Sequence, residues 1–459
     1  MSAGPFDVAI VGGGAAGTLV AIQLLRQATA PLRIAMVEPR AVLGRGAAHA
    51  TERPEHLLNV RAGGMSAFDA APGDFVDWLQ DAMPDTPRAR IAEAFVPRQR
   101  FAAYLAARLA QARAGSPATL DHVQTRALSL ERGAEGFVLQ LDGAGALQAR
   151  TAVLATGNAP RPLPARGARS LPPARRIEAW DNAGLAGIDA DAAVCIVGAG
   201  LSMVDAVVAL LADGHRGPLH VLSRHGLMPL PHVDGAPAQA VDVEALLALS
   251  LRARLRAVRR EVARAQARGV PWQAVMDALR PHGQRLWTTL SGADQRRFLR
   301  HVVRLWDVHR HRIAAPVHAQ LQQALARGQL QRHRARLDTA MAGARCVQLH
   351  GHGPHGEILV LEVAHVINAT GVELRVQAMR NPLLAELVGS GLAAPGPHGI
   401  GLDTCPNGRL RDADGQAVPG LLAIGSLRIG ALWESLAIPE LRGQAETVAR
   451  EALAASAPR

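Results

Sequence analysis

The sequence contains no lysine, so all 50 of its basic residues are arginine. A P-loop lysine, a Schiff-base lysine and a Ser-Lys dyad are therefore excluded. The formal net charge of +11 would suit a nucleic-acid partner, but the arginines are dispersed among acidic residues along the chain. Because phosphate-binding surfaces need a clustered basic patch, we predict no nucleic-acid partner.

Cysteines and long apolar runs are also scarce. Cys195, Cys346 and Cys405 form no CxxC or CxxxxC pair, which argues against a dithiol reductase mechanism. The apolar stretch of residues 8–25 is interrupted by Gly12, Gly13, Gly14 and Gly17 and lacks a basic flank, so it indicates neither a signal peptide nor a membrane span. We expect a soluble protein of the cytoplasm, with no membrane partner and no metal site.

Two strand–helix–strand patterns stand out in the 459 residues. The first covers residues 6–11, 15–28 and 32–37, and the second covers residues 192–197, 202–212 and 219–223. Between residues 241 and 337 strand patterns disappear, and Leu, Ala and Arg recur at helical spacing. The fold prediction is α/β, with two Rossmann-like dinucleotide-binding domains and a helical insertion. The predicted regions are a first domain of residues 1–160 and 365–459, a second of residues 161–240 and 338–364, and an insertion of residues 241–337 on the substrate side.

The first glycine-rich turn, residues 12–17, reads GGGAAG and matches GxGxxG between a strand and a helix. Such glycines let backbone N–H groups approach a pyrophosphate at the positive end of the helix. Glu38 ends the next strand about 20 residues later, where an acid accepts hydrogen bonds from a ribose. A structural glycine turn is the alternative, but the combination favours a dinucleotide site.

The second turn begins at Gly198 and reads GAGLSM, with Met203 in place of the third glycine. Its following strand ends at Ser223 and Arg224, with no acid at the ribose position. A guanidinium matches a phosphate well, so Arg224 is predicted to bind the 2′-phosphate of NADPH. The alternative is a solvated arginine, and NADH and NADPH both stay open.

Two further strands end in Ala-Thr-Gly, at Thr156-Gly157 and Thr370-Gly371. They resemble the ATG elements of two-domain flavoproteins. Other segments resemble one bacterial family of FAD/NAD(P)-binding proteins, whose FAD domain is shared with FAD-dependent urate hydroxylases and an aspartate N-oxygenase. These segments are residues 44–49, 56–60, 65–68, 75–79, 96–98, 198–205, 306–312 and 432–435. The second turn is also similar to that of class B flavin monooxygenases, with Ser202 at the matching serine, although Arg176 stands where their linker has histidine.

The resemblance implies FAD at the first turn and NADPH or NADH at the second. It places Asn59 and residues 425–436 along the flavin, with Trp433 beside the ring or, alternatively, packed in the core. The predicted cofactor-binding residues are Gly12, Gly14, Ala16, Gly17, Glu38, Arg45, Asn59, Val123, Thr156, Gly157, Gly198, Gly200, Ser202, Met203, Arg224 and Gly425.

A cluster rich in histidine and arginine lies at residues 301–312. At helical spacing Asp307, Arg310 and His311 fall on one face, which could hold an anionic substrate. A surface salt-bridge network is the alternative. The predicted catalytic residues are Trp433, Arg310, His311 and Asp307, with Arg312 as a further anion-binding candidate.

The leading functional prediction is an FAD-dependent, NAD(P)H-consuming monooxygenase that uses O2 and acts on a small anionic substrate. In such enzymes the cofactors carry the difficult chemistry and the protein orients them and excludes water. Urate hydroxylation to 5-hydroxyisourate suits the arginines, and an amino-acid or amine N-oxygenase would use them for a carboxylate. An NAD(P)H-flavin oxidoreductase without oxygen insertion and a non-catalytic nucleotide-binding regulator remain alternatives. The oligomeric state is not predicted.

Overall fold

The computed structural model describes residues 4–143 and 145–456. The described chain forms two compact units. The first runs from its N-terminal end to Glu52, through Val60–Ala159, and from Glu373 to its C-terminal end. The second combines Arg53–Asn59 with Pro160–Val372. None of the helices in the described ranges is long and apolar enough to cross a membrane.

The strands are numbered in chain order. They are β1 (Phe6–Val11), β2 (Arg33–Val37), β3 (Thr119–Val123), β4 (Ala127–Gly133), β5 (Gly136–Leu141), β6 (Gly145–Leu154), β7 (Ala159–Pro160), β8 (Arg176–Glu178), β9 (Val194–Val197), β10 (Leu219–Ser223), β11 (Leu330–Arg334), β12 (Arg336–Ala342), β13 (Val347–His352), β14 (Ile358–Val363), β15 (His365–Asn368), β16 (Val372–Glu373), β17 (Arg409–Arg411) and β18 (Ala417–Ala423).

The α-helices follow the same order. They are α1 (Ala15–Gln27), α2 (Asp74–Ala82), α3 (Arg88–Glu93), α4 (Arg98–Ala114), α5 (Asn182–Ala186), α6 (Leu201–Ala212), α7 (Val243–Leu247), α8 (Leu251–Ala267), α9 (Trp272–Leu279), α10 (Gly283–Thr288), α11 (Gly292–Arg297), α12 (Val303–Arg310), α13 (Ala315–Ala326), α14 (Pro382–Gly389), α15 (Ile429–Leu432) and α16 (Ile438–Ser456).

The first unit is built on an eight-stranded sheet with β1 near its centre. β1 pairs in parallel with β2 on one side and with β6 on the other. Its last four residues, VAIV, are buried, because a parallel sheet is covered on both faces. α1 packs against α16 and α4. The carboxyl ends of β1, β2, β3 and β6 therefore share one edge, where an open α/β sheet binds its ligand.

The second unit contains a five-stranded sheet in the order β11-β10-β9-β15-β8 and a three-stranded sheet, β12-β13-β14. The five strands pair in parallel, with β9 between β10 and β15. Helices fill most of residues 243–326, and a small core of Val, Leu and Met side chains holds α7, α9 and α10 together. The helical insertion that the periodicity predicts is thus present.

Both strand–helix–strand patterns fold as predicted, and only four of their twelve ends are shifted, each by one or two residues. The predicted domain limits fit less well at two strands. β15, which the prediction assigns to the first domain, pairs with β8 and β9 in the second unit. Its buried pattern does not reveal which of two parallel sheets takes it.

β11 corrects the predicted end of the helical insertion. This segment, LQRHR, pairs in parallel with β10, and only Leu330 in it is buried. It is an edge strand, and edge strands carry charged side chains that hide the alternation expected of a strand. The helices of the insertion therefore end at α13, before residue 330.

Candidate functional site

The first glycine turn follows β1 and leads into α1. Gly12 has φ 109°, and a Cβ there would lie 2.3 Å from the Ala155 carbonyl oxygen. A Cβ on Gly17 would lie 1.9 Å from the Gly12 carbonyl oxygen. Both positions therefore require glycine, the first for its conformation and the second for the close approach of helix to turn.

Glu38 joins this turn at the edge of the sheet. The residue is 8% exposed, and its Oε2 accepts the Gly13 N–H at 2.8 Å while Oε1 accepts the Arg40 N–H at 3.1 Å. The Glu38 N–H donates to the Val123 carbonyl at 3.1 Å. A carboxylate oxygen accepts more than one hydrogen bond, so Glu38 retains capacity for ribose hydroxyls. The structure thus brings together the first turn, Glu38 and Val123.

Thr156, Gly157, Ala16 and Gly425 lie beside the same turn. The Thr156 Oγ1 is buried and has no hydrogen-bond partner among the described residues. Gly425 has φ 75°, and a Cβ there would lie 3.6 Å from the Ala16 Cβ. Ser426 Oγ donates to the Gly157 carbonyl at 2.8 Å. A bare backbone beside an unsatisfied buried hydroxyl fits a bound FAD, which would offer the hydroxyl a partner.

Arg45 lies beside the first glycine turn, between Gly44, whose N–H donates to the Gly13 carbonyl at 2.8 Å, and Gly46, whose Cα would lie 3.2 Å from a Cβ on Gly14. Arg45 Nη1 forms a partly exposed ion pair with Glu52 at 3.0 Å. Asn59 belongs to the second unit, where its carbonyl accepts a hydrogen bond from His232 Nε2 at 3.1 Å. Their contacts with FAD stay predictions.

The second glycine turn repeats the backbone of the first. Gly198 has φ 114°, and a Cβ there would lie 2.0 Å from the Ala369 carbonyl oxygen. Around Gly200, a Cβ would meet nothing within 4 Å. Ser202 and the buried Met203 lie in the first turn of α6. Backbone N–H groups at the start of this helix can approach a phosphate, as the sequence predicts.

The end of β10 carries the predicted phosphate contact. Arg224 is exposed and forms no ion pair with a residue that the structure describes. Ser223 Oγ accepts the Gly226 N–H at 3.1 Å, which closes a tight turn after the strand. No acid occupies the position that Glu38 has in the first unit.

Trp433 adopts an unusual backbone conformation, with φ 61° and ψ −64°. The Glu434 N–H donates to the Leu432 carbonyl at 2.8 Å, so Trp433 is the central residue of a γ-turn. This turn is rare and strained. Ser435 Oγ then donates to the Gly425 carbonyl at 3.0 Å, and Gln444 Oε1 accepts the Gly425 N–H at 3.1 Å. The strained turn is thus tied to a predicted flavin-facing glycine.

The histidine and arginine cluster follows a π-helical turn, Phe298–Val302, that joins α11 to α12. Asp307 pairs with Arg304 at 3.2 Å. α12 ends at Arg310, and His311 caps it with an N–H that donates to the Asp307 carbonyl at 2.7 Å, so the shared face of Asp307, Arg310 and His311 stays a prediction. A helix ends where its last carbonyls lose their partners, and spacing alone does not locate that point.

Arg310 and Arg312 are buried, with exposures of 8% and 4%. Arg312 Nη2 is ion-paired with Asp277, whose side chain is half exposed. The Arg312 guanidinium also lies 5.9 Å from the centre of the Trp272 ring. Its Nε and Nη1 are buried without a hydrogen-bond partner in the described part of the chain. The surface salt-bridge alternative therefore does not account for Arg312.

Sequence reasoning did not single out two basic residues of the first unit, the partly buried His49 and the buried Arg428. Burial and the charge of Arg98 lower the pKa of His49 to about 3, and its Nδ1 is buried without a described partner. Burial lowers the pKa of Arg428 to about 10, and its Nη2 donates to the Pro406 carbonyl at 2.7 Å. His49 ends the family-like segment 44–49, which offered a signal. Arg428 lies in the segment 425–436 that the resemblance places along the flavin, although its residue type alone does not distinguish it from the other arginines.

Comparison with known proteins agrees with the first of these nucleotide sites. Residues 9–159 match the model of a family described as FAD-NAD(P)-binding. No curated protein sequence matches the chain significantly. The match covers the first glycine turn, Glu38 and Thr156, which are the residues that fit FAD best.

Solved structures of flavoproteins share the fold over nearly the whole chain. The ornithine N-hydroxylase of Kutzneria sp. 744, solved with reduced FAD, NADP+ and L-ornithine, is 15% identical with a TM-score of 0.68 and covers 98% of this chain and 99% of its own. The cadaverine monooxygenase of the desferrioxamine pathway from Erwinia amylovora is 12% identical with a TM-score of 0.63, over 98% and 95% of the two chains. Thioredoxin reductase of Lactococcus lactis is 12% identical with a TM-score of 0.56, over 98% and 99%. The predicted fold, an α/β flavoprotein with two dinucleotide-binding domains, is confirmed.

Proposed function

We propose that this protein is an FAD-dependent, NADPH-consuming monooxygenase that oxygenates the amino group of a small substrate carrying a carboxylate. The observation that carries the proposal is the pair of glycine turns, one completed by an acid and the other by an arginine. The ornithine N-hydroxylase and the cadaverine monooxygenase share the fold and by their names act on amines. They support the amine alternative over urate hydroxylation.

Disulfide reduction is the main competing chemistry, since thioredoxin reductase has the same fold. Such enzymes use a redox-active pair of cysteines. The three cysteines here are far apart in sequence, and burial raises the pKa of the Cys195 thiol to about 12. A thiol held protonated is a poor nucleophile. The cysteines therefore support oxygenation rather than disulfide exchange.

The substrate carboxylate is assigned to Arg312. A buried guanidinium with two nitrogens lacking described partners is costly unless a ligand completes its hydrogen bonds. A planar carboxylate accepts two parallel hydrogen bonds from Nη2 and either Nε or Nη1, and Nη2 has a second N–H besides the one that faces Asp277. A diamine such as cadaverine has no carboxylate, so Arg312 favours an amino acid over a diamine.

Once bound, FAD and NADPH would supply the electrons and the activation of O2. The residues of the chain would bind the cofactors and the substrate and hold them in the orientation that the reaction needs. Backbone N–H groups after Gly14 and Gly200 would hold the pyrophosphates, Glu38 would accept hydrogen bonds from ribose hydroxyls, and Arg312 would fix the substrate carboxylate. Asp307 and His311 are the candidates for moving the proton that the amine loses, since a substrate amine must be neutral to react.

Coupled turnover tests the proposed activity. The FAD-loaded protein should oxidise NADPH faster with one of L-ornithine or L-aspartate than alone, with a hydroxylamine formed in proportion and little hydrogen peroxide. Urate is included in the same assay. Consumption of urate without any response to amines would contradict the proposal and restore urate hydroxylation.

The assignment of Arg312 is tested with matched variants. Arg312→Ala should raise the KM for the amino acid by about tenfold or more, since a charge-assisted pair is lost, and Arg312→Lys should recover part of it. Arg296→Ala is the control, because Arg296 is an exposed arginine of the same insertion. An equal rise in KM for cadaverine would show that Arg312 does not bind the carboxylate.

A further inference from the structure

β10 and β11 end side by side at the carboxyl edge of the second sheet. Ser223, the last residue of β10, is in register with Arg334, the last residue of β11. The Ala335 N–H donates to the Ser223 carbonyl at 3.0 Å, which fixes the two strand ends together. In an open α/β sheet, the carboxyl end of the strand after the glycine turn binds the adenosine ribose. Arg334 therefore lies next to the predicted ribose position, although it is more than a hundred residues from Arg224 in sequence.

The turn after β10 packs on Arg334. Gly226 has φ 64°, and a Cβ there would lie 3.3 Å from the Arg334 Cβ and 3.7 Å from its Cγ. Because Gly226 presents no side chain, the stem of Arg334 lies against the turn that carries Arg224. The Arg334 side chain is exposed, so its guanidinium is accessible to a ligand.

The positive charge at this edge is not neutralised. Neither Arg224 nor Arg334 forms an ion pair within the described residues, whereas the nearby Arg304 is paired with Asp307 at 3.2 Å. Burial and the charges of Arg224, Arg304 and Arg334 lower the pKa of His225, which shows that these arginines act on one small region.

One acid faces the same region. Glu357 is exposed and has a lowered pKa, chiefly through hydrogen bonds from backbone N–H groups and to a smaller extent through the charges of His355 and Arg334. Its bonds to the backbone of its own turn leave Arg334 without an ion pair. The carboxyl edge of this sheet therefore carries positive charge that an anionic ligand can neutralise.

We propose that Arg224 and Arg334, from adjacent strands, together bind the 2′-phosphate of NADPH. We call this pair of arginines the clamp. The clamp rests on the proposed nicotinamide site and names a residue that selects between NADPH and NADH. A phosphate dianion carries enough oxygens for both guanidinium forks, and each charge-assisted contact favours NADPH, since NADH has only a hydroxyl there.

The test measures binding rather than turnover. Adenosine 2′,5′-bisphosphate and 5′-AMP are titrated calorimetrically into the FAD-loaded protein, because the two differ only in the 2′-phosphate. Arg334→Ala should weaken the bisphosphate by about tenfold and leave AMP unchanged, as expected for one lost charge-assisted contact. Arg334→Lys, which keeps the charge, should lose less. Removing Arg224 as well should make the two ligands bind equally.

Arg332→Ala is the matched control. Arg332 is an exposed arginine on the same strand and the same face, two residues before Arg334, where the strand has not yet reached its carboxyl end. It should change the affinity for either ligand by less than about twofold, since an exposed charge that makes no direct contact with the phosphate contributes little.

Two outcomes would overturn the clamp: unchanged bisphosphate affinity in Arg334→Ala, or equal weakening of bisphosphate and AMP. Failure of the proposed function is distinguishable. In that case the wild-type protein would still bind the bisphosphate more tightly than AMP, but no amine would accelerate NADPH oxidation.

Discussion

The two glycine turns have the same backbone and different side chains. Gly12 and Gly198 have φ values of 109° and 114°, and a Cβ on either would strike the carbonyl of a neighbouring strand end. The first turn has Gly17 at the start of its helix, whereas the second has the buried Met203. We infer that the backbone conformation, which both turns share, is what any dinucleotide requires. The side chains, which differ between the turns, would then select which nucleotide binds.

The threonines beside the turns differ in the same way. The Thr156 Oγ1 of the first unit has no described partner, whereas the Thr370 Oγ1 of the second donates to the Arg161 carbonyl at 3.1 Å. A buried hydroxyl without a partner is costly, and a ligand removes that cost. The first site is therefore more dependent on its cofactor, as expected if FAD stays bound while the nicotinamide exchanges.

Of the substitutions that separate the two turns, the largest effect on stability and FAD retention is expected at Gly17. Gly17→Ala should destabilise the apo protein by about 2–3 kcal/mol and abolish FAD retention, because its methyl group would overlap the Gly12 carbonyl. Urea unfolding and the flavin absorbance measure the two effects. Gly200→Ala is the control and should unfold at the wild-type urea concentration. A Gly17→Ala protein with wild-type stability would show that α1 can move away as freely as α6.

Lowering the pH should reduce the free energy of unfolding, and His49 of the first unit should cause part of this loss. Its pKa is lowered to about 3 in the folded protein by burial and by Arg98, so below pH 6.5 the unfolded chain binds a proton that the folded chain does not. Stability is then lost as the pH falls from about 6.5 towards 3, by about 1.4 kcal/mol per unit and hence about 2 kcal/mol at pH 5. Urea unfolding of the wild type and His49→Gln at pH 7 and pH 5 measures this. An equal pH dependence in both proteins would contradict it.

The smallest effect is expected at Arg45. Its partly exposed ion pair with Glu52 contributes less than about 1 kcal/mol, so Arg45→Ala should scarcely alter unfolding. If Arg45 binds FAD as the resemblance implies, the same variant should raise the Kd of FAD severalfold, and Glu52→Ala should not. Equal FAD affinity in both variants would make Arg45 a surface residue.

Local patterns predicted the fold and the two turns because each strand, glycine and helix start depends on neighbouring residues. The sequence could not show that β15 lies in the second sheet or that β11 is an edge strand, since these depend on pairing partners far along the chain. The γ-turn at Trp433 and the hydrogen bonds of Gln444 depend on the folded environment and carry no sequence signal. Arg334 was missed for the same reason, because its register with Ser223 is a property of the sheet.

The proposed function depends on FAD at the first glycine turn and NADPH at the second. Gly14→Ala and Gly200→Ala test this assignment together, because a methyl group on Gly200 would enter the open space before α6 where a pyrophosphate would bind, and one on Gly14 would lie 3.2 Å from the Gly46 Cα, in the tight packing that shapes the first turn. Flavin absorbance per chain and the Kd of NADPH are measured for each variant and the wild type. Gly14→Ala should lose FAD, while Gly200→Ala should keep about one FAD per chain and bind NADPH at least tenfold more weakly. Loss of FAD from Gly200→Ala with wild-type NADPH affinity would contradict this assignment.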